Sequence, residues 1–381
     1  METAHYEQKW IWECDGFPSF TYSIVALEEL YFKCGQLNMI EALMSSSAST
    51  ELLVDILENE TVATSAIEGE ILQRSSVRSS IQKILRMDIE EEYSSNYHID
   101  NLVEIIIDAK TNLSSLNRER LLMWHKALFP TNQSGLRKLV AGAYRTHEED
   151  MRIISGPWEK EKVHYIAPPS SKMEELMNEF LRWLNEDNEK NSMIKAGIAH
   201  LYFVLIHPFE DGNGRLARAI TDYVLASSKL VNVTFYSIAT AIHNDRKEYY
   251  EILDRICQSH TLDITVWIEW FMKVLTISID DTLQKMEVVQ IKTKFWDKYV
   301  DTHLNDRQKK VIQKMLSTLP KPFEGGMKVN KYMGITKSTR ITASRDLADL
   351  VQKGVLLPQG KSRGAHYILN IVFSKSVDIP R

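Results

Sequence analysis

At 381 residues the chain exceeds what one core of ordinary size organises, so two or three domains are expected, each large enough to stand alone. With 44% hydrophobic and 25% charged residues but only 15 glycines and 10 prolines, it is not collagenous, coiled-coil or wholly disordered. The net charge of −5 hides a division: residues 301 to 381 hold 15 Lys and Arg against 6 Asp and Glu, whereas the preceding 300 residues are strongly acidic, so an anionic partner is favoured for the tail, nucleic acid first.

In chain order, Met1 to His5 lack the basic and apolar pattern of a signal peptide. The longest apolar run, Ile198 to Phe209, is interrupted by His200 and His207 and falls short of the ~20 residues that span a bilayer, so no membrane partner is expected. Cys14, Cys34 and Cys257 are too scattered for a disulfide framework or a zinc cluster and fit a reducing cytoplasm, the expected location. An aromatic entry segment from Trp10 to Tyr22 leads into helical spacing over Ser23 to Leu43 and Thr50 to Ile67, with Ser45 to Ser49 a loop between them. Residues 1–98 are read as a helical N-terminal module, 99–278 as a second helical domain, 279–300 as a connecting helix and 301–381 as a basic C-terminal domain. Within the second, Arg152 to Ser155, the Gly156-Pro157 turn and Val163 to Ile166 read as a short hairpin with unpaired edges, a candidate peptide-docking edge.

The chemistry concentrates in His207-Pro208-Phe209-Glu210-Asp211-Gly212-Asn213-Gly214-Arg215-Leu216-Ala217-Arg218, between a buried helix (192–206) and a second helix (216–227). Gly212, Asn213 and Gly214 can take positive φ and aim backbone N–H groups inward at a helix start, an anion cradle suited to phosphates. Arg215 and Arg218, three apart, can reach distal phosphate oxygens, and Asp211 is a hard oxygen ligand for a Mg²⁺ that bridges phosphates. His207, at an ordinary pKa near ~6.5, can take a proton from an attacking hydroxyl. This describes nucleotidyl or phosphoryl transfer, and the absence of Gly-Lys-Ser/Thr separates it from a Walker loop. Phe209 is read as a core anchor.

The segment resembles the complete signature of the Fic (filamentation induced by cAMP) family, matched at every specified position. The resemblance implies a mainly α fold with a short β-hairpin flap, Mg²⁺ as cofactor, and transfer of AMP from ATP to a Ser, Thr or Tyr hydroxyl of a target protein or of the chain itself. It implies His207 as base, Asp211 at the metal, and Gly212, Asn213, Gly214, Arg215 and Arg218 on the nucleotide, with Asn244 and Tyr250 near the nucleoside. The hairpin resembles the family's flap. Thr64 to Gly69 is similar to the family's inhibitory motif: Thr64 and Glu68 share a helix face, and Glu68 is implied to pair with Arg218. Transfer or removal of another phosphate-linked group stays open, as do the target protein and a homo-oligomer.

The tail fits a winged helix-turn-helix: a helix over 328–334, a second from the Ser338 cap to about Lys353, then a two-stranded wing over 355–369 with Lys361 and Arg363 at its tip. Lys337, Thr339, Arg340, Thr342 and Arg345 fall at the start of the second helix, where groove contacts are made. DNA and protein remain alternative partners for it. A DNA-binding regulator with a nucleotide-sensing Fic domain is accordingly the alternative to an autoinhibited adenylyltransferase.

Overall fold

The computed structural model describes residues 10–87, 96–134, 137–156, 160–186, 189, 191–228, 235–360 and 364–371. The chain divides into two compact units, Met1–Leu283 and Gln284–Arg381.

The first unit is helical. Helices α1 (Glu28–Ala42), α2 (Ser46–Ile67), α3 (Arg74–Ile84), α4 (Tyr97–Thr111) and α5 (Arg118–Leu128) precede a region of short strands. These are β1 (Gln133–Ser134) with β2 (Arg137–Lys138), and β3 (Arg152–Ser155) with β4 (Lys162–Ile166), each pair antiparallel. Then come α6 (Met173–Asn185), α7 (Ser192–Ile206), α8 (Asn213–Ser227), α9 (Ile238–Asn244), α10 (Arg246–Cys257) and α11 (Thr265–Lys298), the last beginning in this unit. Among the described residues no helix is long and apolar enough to cross a membrane.

Side-chain chemistry sets these bounds. The expected loop at Ser45 to Ser49 is instead a helix start: the Ser45 hydroxyl accepts from the Ala48 N–H at 3.3 Å, and α2 runs from Ser46. The first predicted helix begins later than Ser23, because Thr21 is held extended in a bridge to Asp263. The connecting helix expected from Ile277 starts at Thr265, and no glycine or proline interrupts its sequence through Lys298. Asn191 opens α7 by accepting from the Met193 and Ile194 N–H groups, after which a nearly continuous apolar stretch is buried on all sides. Helix α7 packs along α8 at the centre of the unit, with α4 and α2 against the far side of α8. The His200 ring, on α7, meets Thr221 of α8 at 3.0 Å and Tyr249 of α10 at 3.1 Å, so a histidine on an apolar helix is used as a polar rivet.

The β3–β4 hairpin is tied down from several directions. The Tyr165 hydroxyl donates to the Leu205 carbonyl at 2.8 Å, and Trp12 Nε1 donates to the Ile166 carbonyl at 2.8 Å. Its predicted turn residue Pro157 lies outside the described residues.

The second unit contains α12 (Asp306–Leu316), α13 (Val329–Thr336), α14 (Arg340–Gln352) and the antiparallel pair β5 (Leu356–Gln359) and β6 (His366–Leu369). Helix α12, capped by Asn305 in a reciprocal box with Gln308, lies within the expected 301–381 module, ahead of the helix expected over 328–334. Ile312, Tyr332, Leu347, Leu350 and Val355 are buried together in its core. Asp346 organises the polar side, accepting from Arg307 Nε at 2.8 Å and from the Tyr332 hydroxyl at 3.0 Å. The cap of α14 is Thr339 rather than Ser338, its hydroxyl accepting from the Thr342 N–H. Lys337, Thr339, Arg340 and Arg345 are exposed and Thr342 is half-buried, whereas Lys361 and Arg363 lie outside the described residues.

Candidate active site

Helix α7 ends at His207, which adopts the left-handed conformation at φ 51° and ψ 59°, a sparsely populated region for a residue with a side chain. Two residues on, Phe209 is fully buried and stacks on the His125 ring at 3.9 Å with planes 12° apart. Burying such a side chain contributes about 1.5–3 kcal/mol, which fixes the loop to the core. Asn213 then closes the turn: its Oδ1 accepts from the Phe209 N–H at 3.0 Å and its Nδ2 donates to the Phe209 carbonyl at 2.8 Å.

Of the three cradle residues only Gly212 is left-handed, at φ 81°; a Cβ there would meet the Phe129 ring at 2.9 Å. Asn213 and Gly214 open α8 with helical backbone, correcting the expectation of positive φ throughout. Glycine is needed at 214 for a different reason. A Cβ there would lie 2.3 Å from Glu68 Oε1, on a helix about 150 residues earlier.

Distant residues hold this loop. Arg145 donates from Nε to the His207 carbonyl at 2.8 Å and from its backbone N–H to the Pro208 carbonyl at 2.9 Å. His125 Nδ1 accepts from the Gly142 N–H at 2.9 Å, which leaves its Nε2–H to donate to the Asp211 carbonyl at 3.2 Å. The Asp211 carboxylate accepts from the Ser134 hydroxyl and from the Gly212 N–H. No spacing in the sequence pointed to Arg145, His125 or Ser134.

The His207 ring is neutral. Burial, aided by the Arg145 cation, pulls its pKa down to about 4, against the opposing influence of the Val204 carbonyl, Glu68 and Asp211. This corrects the ordinary value assumed from sequence. With Nδ1 directed at the Val204 carbonyl at 3.3 Å, Nε2 is left as the ring's acceptor.

Above the loop, the C-terminal end of α2 reaches α8. Buried Arg218 donates from Nε to the Thr64 hydroxyl at 2.7 Å and from Nη2 to the Thr64 carbonyl at 3.1 Å and to Glu68 Oε1 at 2.7 Å. Among the described residues its Nη1 is buried without a partner. A second acid, Glu70, lies 3.6 Å from Arg215 Nη1 and accepts from His98 Nε2 at 2.8 Å; that histidine, with burial opposing it, holds the Glu70 carboxyl below the usual range. The Arg215 guanidinium also lies over the Phe129 ring, 5.1 Å from its centroid. Both arginines are thus committed to acids of the α2 terminus rather than extended into open space.

A cavity of about 780 Å³ opens beside the loop. Its wall includes Glu68, His207, Asn213, Gly214 and Tyr250, together with residues of the hairpin and α10. The Tyr250 hydroxyl donates to the Ile67 carbonyl at 3.3 Å, joining α10 to the C-terminal end of α2. Asn244, exposed at the end of α9, is not part of this wall. Among the described residues no group of three or more His, Cys, Asp and Glu could hold a metal ion. A single carboxylate, Asp211, fits a Mg²⁺ that arrives with phosphates and keeps its waters, and does not fit a resident ion held by protein alone.

Residues 115–225 match the Fic/DOC family model. They are a Fic/DOC domain. Residues 10–87, which include α2, match a domain of unknown function, DUF4172. The chain is 26% identical over 113 residues to a protein of Aquifex aeolicus named "Probable protein adenylyltransferase", covering 28% of this chain and 35% of that one. It is 29% identical over 141 residues to "Protein adenylyltransferase Fic" of Nematostella vectensis, covering 36% and 31% respectively. The matched part is about a third of the length of these relatives. A crystal structure of a Fic family protein from Desulfovibrio desulfuricans G20 shares the fold, with a TM-score of 0.52 at 20% identity over 92% of this chain and 98% of that one.

Proposed function

We propose that the chain is an autoinhibited protein adenylyltransferase that moves AMP from ATP to a hydroxyl of a target protein and releases pyrophosphate. The observation that carries this reading is the 2.7 Å pair between Glu68 and buried Arg218 beside a cavity walled by His207. Relatives named protein adenylyltransferase support the reaction class.

His207 Nε2, neutral at physiological pH, accepts the target hydroxyl's proton as its oxygen attacks the α-phosphorus. Backbone N–H groups at the start of α8, aided by the helix dipole, hold phosphate oxygens. Asp211, together with the phosphates, would hold a Mg²⁺, which would supply charge neutralisation for the leaving pyrophosphate. Freed Arg218 takes a terminal phosphate oxygen and so turns the α-phosphorus toward the hydroxyl; while Glu68 holds the guanidinium, that aim is lost. The hairpin offers its edge to an extended target segment. The second unit is read as a winged helix-turn-helix whose exposed Lys337, Arg340 and Arg345 suit an anionic partner, duplex DNA first.

The test is incubation of the full chain with Mg²⁺, ATP labelled at the α-phosphate and lysate. Glu68→Gly should raise initial labelling rates at saturating ATP, and Arg218→Ala in the same background should remove the gain. An unchanged rate for Glu68→Gly would leave Glu68 as an ordinary helix-end residue and end the autoinhibition reading.

A further inference from the structure

The flap hairpin carries a second reactive constellation that the His207 loop does not use. The Ser155 Oγ lies 2.6 Å from His164 Nε2, and His164 Nδ1 lies 3.0 Å from Asp254 Oδ1. Asp254 also accepts from Lys162 Nζ at 3.2 Å and Gln258 Nε2 at 2.7 Å, so it is an ionised acceptor for every neighbour. That fixes the remaining roles: His164 donates from Nδ1, its Nε2 carries the lone pair, and the Ser155 hydroxyl donates to it. The order is nucleophile, base and orienting carboxylate.

The backbone is arranged for this. Ile153 pairs with Tyr165 and Ile154 with Val163, which leaves His164 as the extra residue of a bulge. A bulge turns a side chain out of the regular alternation, here toward the strand-end serine and toward α10. Ser155, His164 and Asp254 all line the same cavity as His207, Asn213 and Gly214. A hydroxyl with its own base, exposed at the hairpin's end, therefore borders the same cavity as the start of α8.

We propose that Ser155 is an acceptor of the AMP group in its own chain, with His164 as its base and Asp254 positioning that base. The proposal rests on the transferase reading above and names the residue on which self-modification occurs. As His164 Nε2 takes the hydroxyl proton, Ser155 Oγ forms a bond to the α-phosphorus of ATP. The bond from that phosphorus to the bridging oxygen breaks, pyrophosphate leaves with the electron pair, and the imidazolium passes its proton to solvent. The product is a serine phosphodiester on the flap.

The test uses the full-length Glu68→Gly chain with Mg²⁺, α-labelled ATP and lysate, followed by peptide mapping of the chain by mass spectrometry. AMP is expected on Ser155, absent in Ser155→Ala, and reduced about 10²-fold or more by His164→Gln, the usual size of a lost general base. Lysate labelling by the Ser155→Ala variant is expected to persist. Because His164→Gln also removes a tie between hairpin and α10, a nucleotide-free measurement accompanies it: a fluorophosphonate probe should phosphonylate Ser155 in the unsubstituted chain. Labelled lysate proteins with an unmodified Ser155, or no reaction of Ser155 with the probe, would overturn this inference and leave the transferase reading standing. Absence of any labelled protein would overturn both.

Discussion

Glu68 and Gly214 are a matched pair: the carboxylate reaches Arg218 only because position 214 has no side chain in its way. Gly214→Ala keeps the backbone N–H that a phosphate would use but leaves no room for Glu68 Oε1, so it should act as an activating change. Calorimetry should find ATP bound more tightly than by the unsubstituted chain; loss of binding would mean that the methyl group intrudes on the phosphates instead. A second expectation follows from the neutral His207 ring. A base works when unprotonated, so with a folded pKa near about 4 its capacity is full above roughly pH 5 and falls only as pH drops through 4. In the Glu68→Gly chain a nearby carboxylate that raises the value is gone, which moves the limb lower still. An acidic limb near ~6.5 in the pH dependence of that chain's labelling rate would show that the His207 ring titrates as an ordinary imidazole and is not held neutral by burial. His207 to Arg218 were legible because the loop is contiguous and each residue type has a distinct task. Arg145, His125, Ser134 and Glu70 were not, since each is brought in from another segment with no spacing to mark it.

At the scale of elements, the packing around α7 carries histidines that stay uncharged, His200 on α7 itself and His125 on α5. Burial lowers His200, between Thr221 and Tyr249, to about 3 and His125, stacked on Phe209, to about 4. Both values lie below the ~6.5 of an unfolded chain, so below that pH the unfolded state binds more protons and stability falls. The loss begins as pH falls through ~6.5 and continues to about 4, with a slope approaching ~1.4 kcal/mol per pH unit for each such histidine. Denaturant titrations at pH 7.5, 6, 5 and 4.5 would check this, and a flat stability across that range would show that the rings are hydrated in solution. Helix α7 was legible to the residue because an asparagine cap opens a long apolar run that ends at His207-Pro208. The start of α8 was placed three residues late. Glycines read as turn-formers from sequence alone, whereas the backbone of Gly214 is already helical and its missing side chain leaves room for Glu68.

For the molecule as a whole, the informative feature of the sequence is its uneven charge, and its consequence is testable without knowing any target. Residues 301 to 381 carry 15 basic against 6 acidic side chains, and within them Lys337, Arg340 and Arg345 stand exposed around the start of α14. Two of the unit's acids are paired internally, Asp346 with Arg307 and Asp349 with Lys353, and since each pair uses one base the net basic excess of the segment is unchanged. If this face meets DNA phosphates, binding of a duplex by the full chain must release counterions and weaken steeply with salt, by a log–log slope of about −0.9 for each phosphate neutralised. Arg340→Ala should weaken binding and make that slope shallower by about one contact, whereas a change at Lys375, beyond β6 in the sequence, should do less. Fluorescence anisotropy across a salt series separates the alternatives, because a protein partner recognised through the same helix would leave the chain with no measurable affinity for duplex even at low salt. In that case the exposed arginines belong to a protein docking surface, and the adenylyltransferase reading of the Fic/DOC domain is untouched by the result.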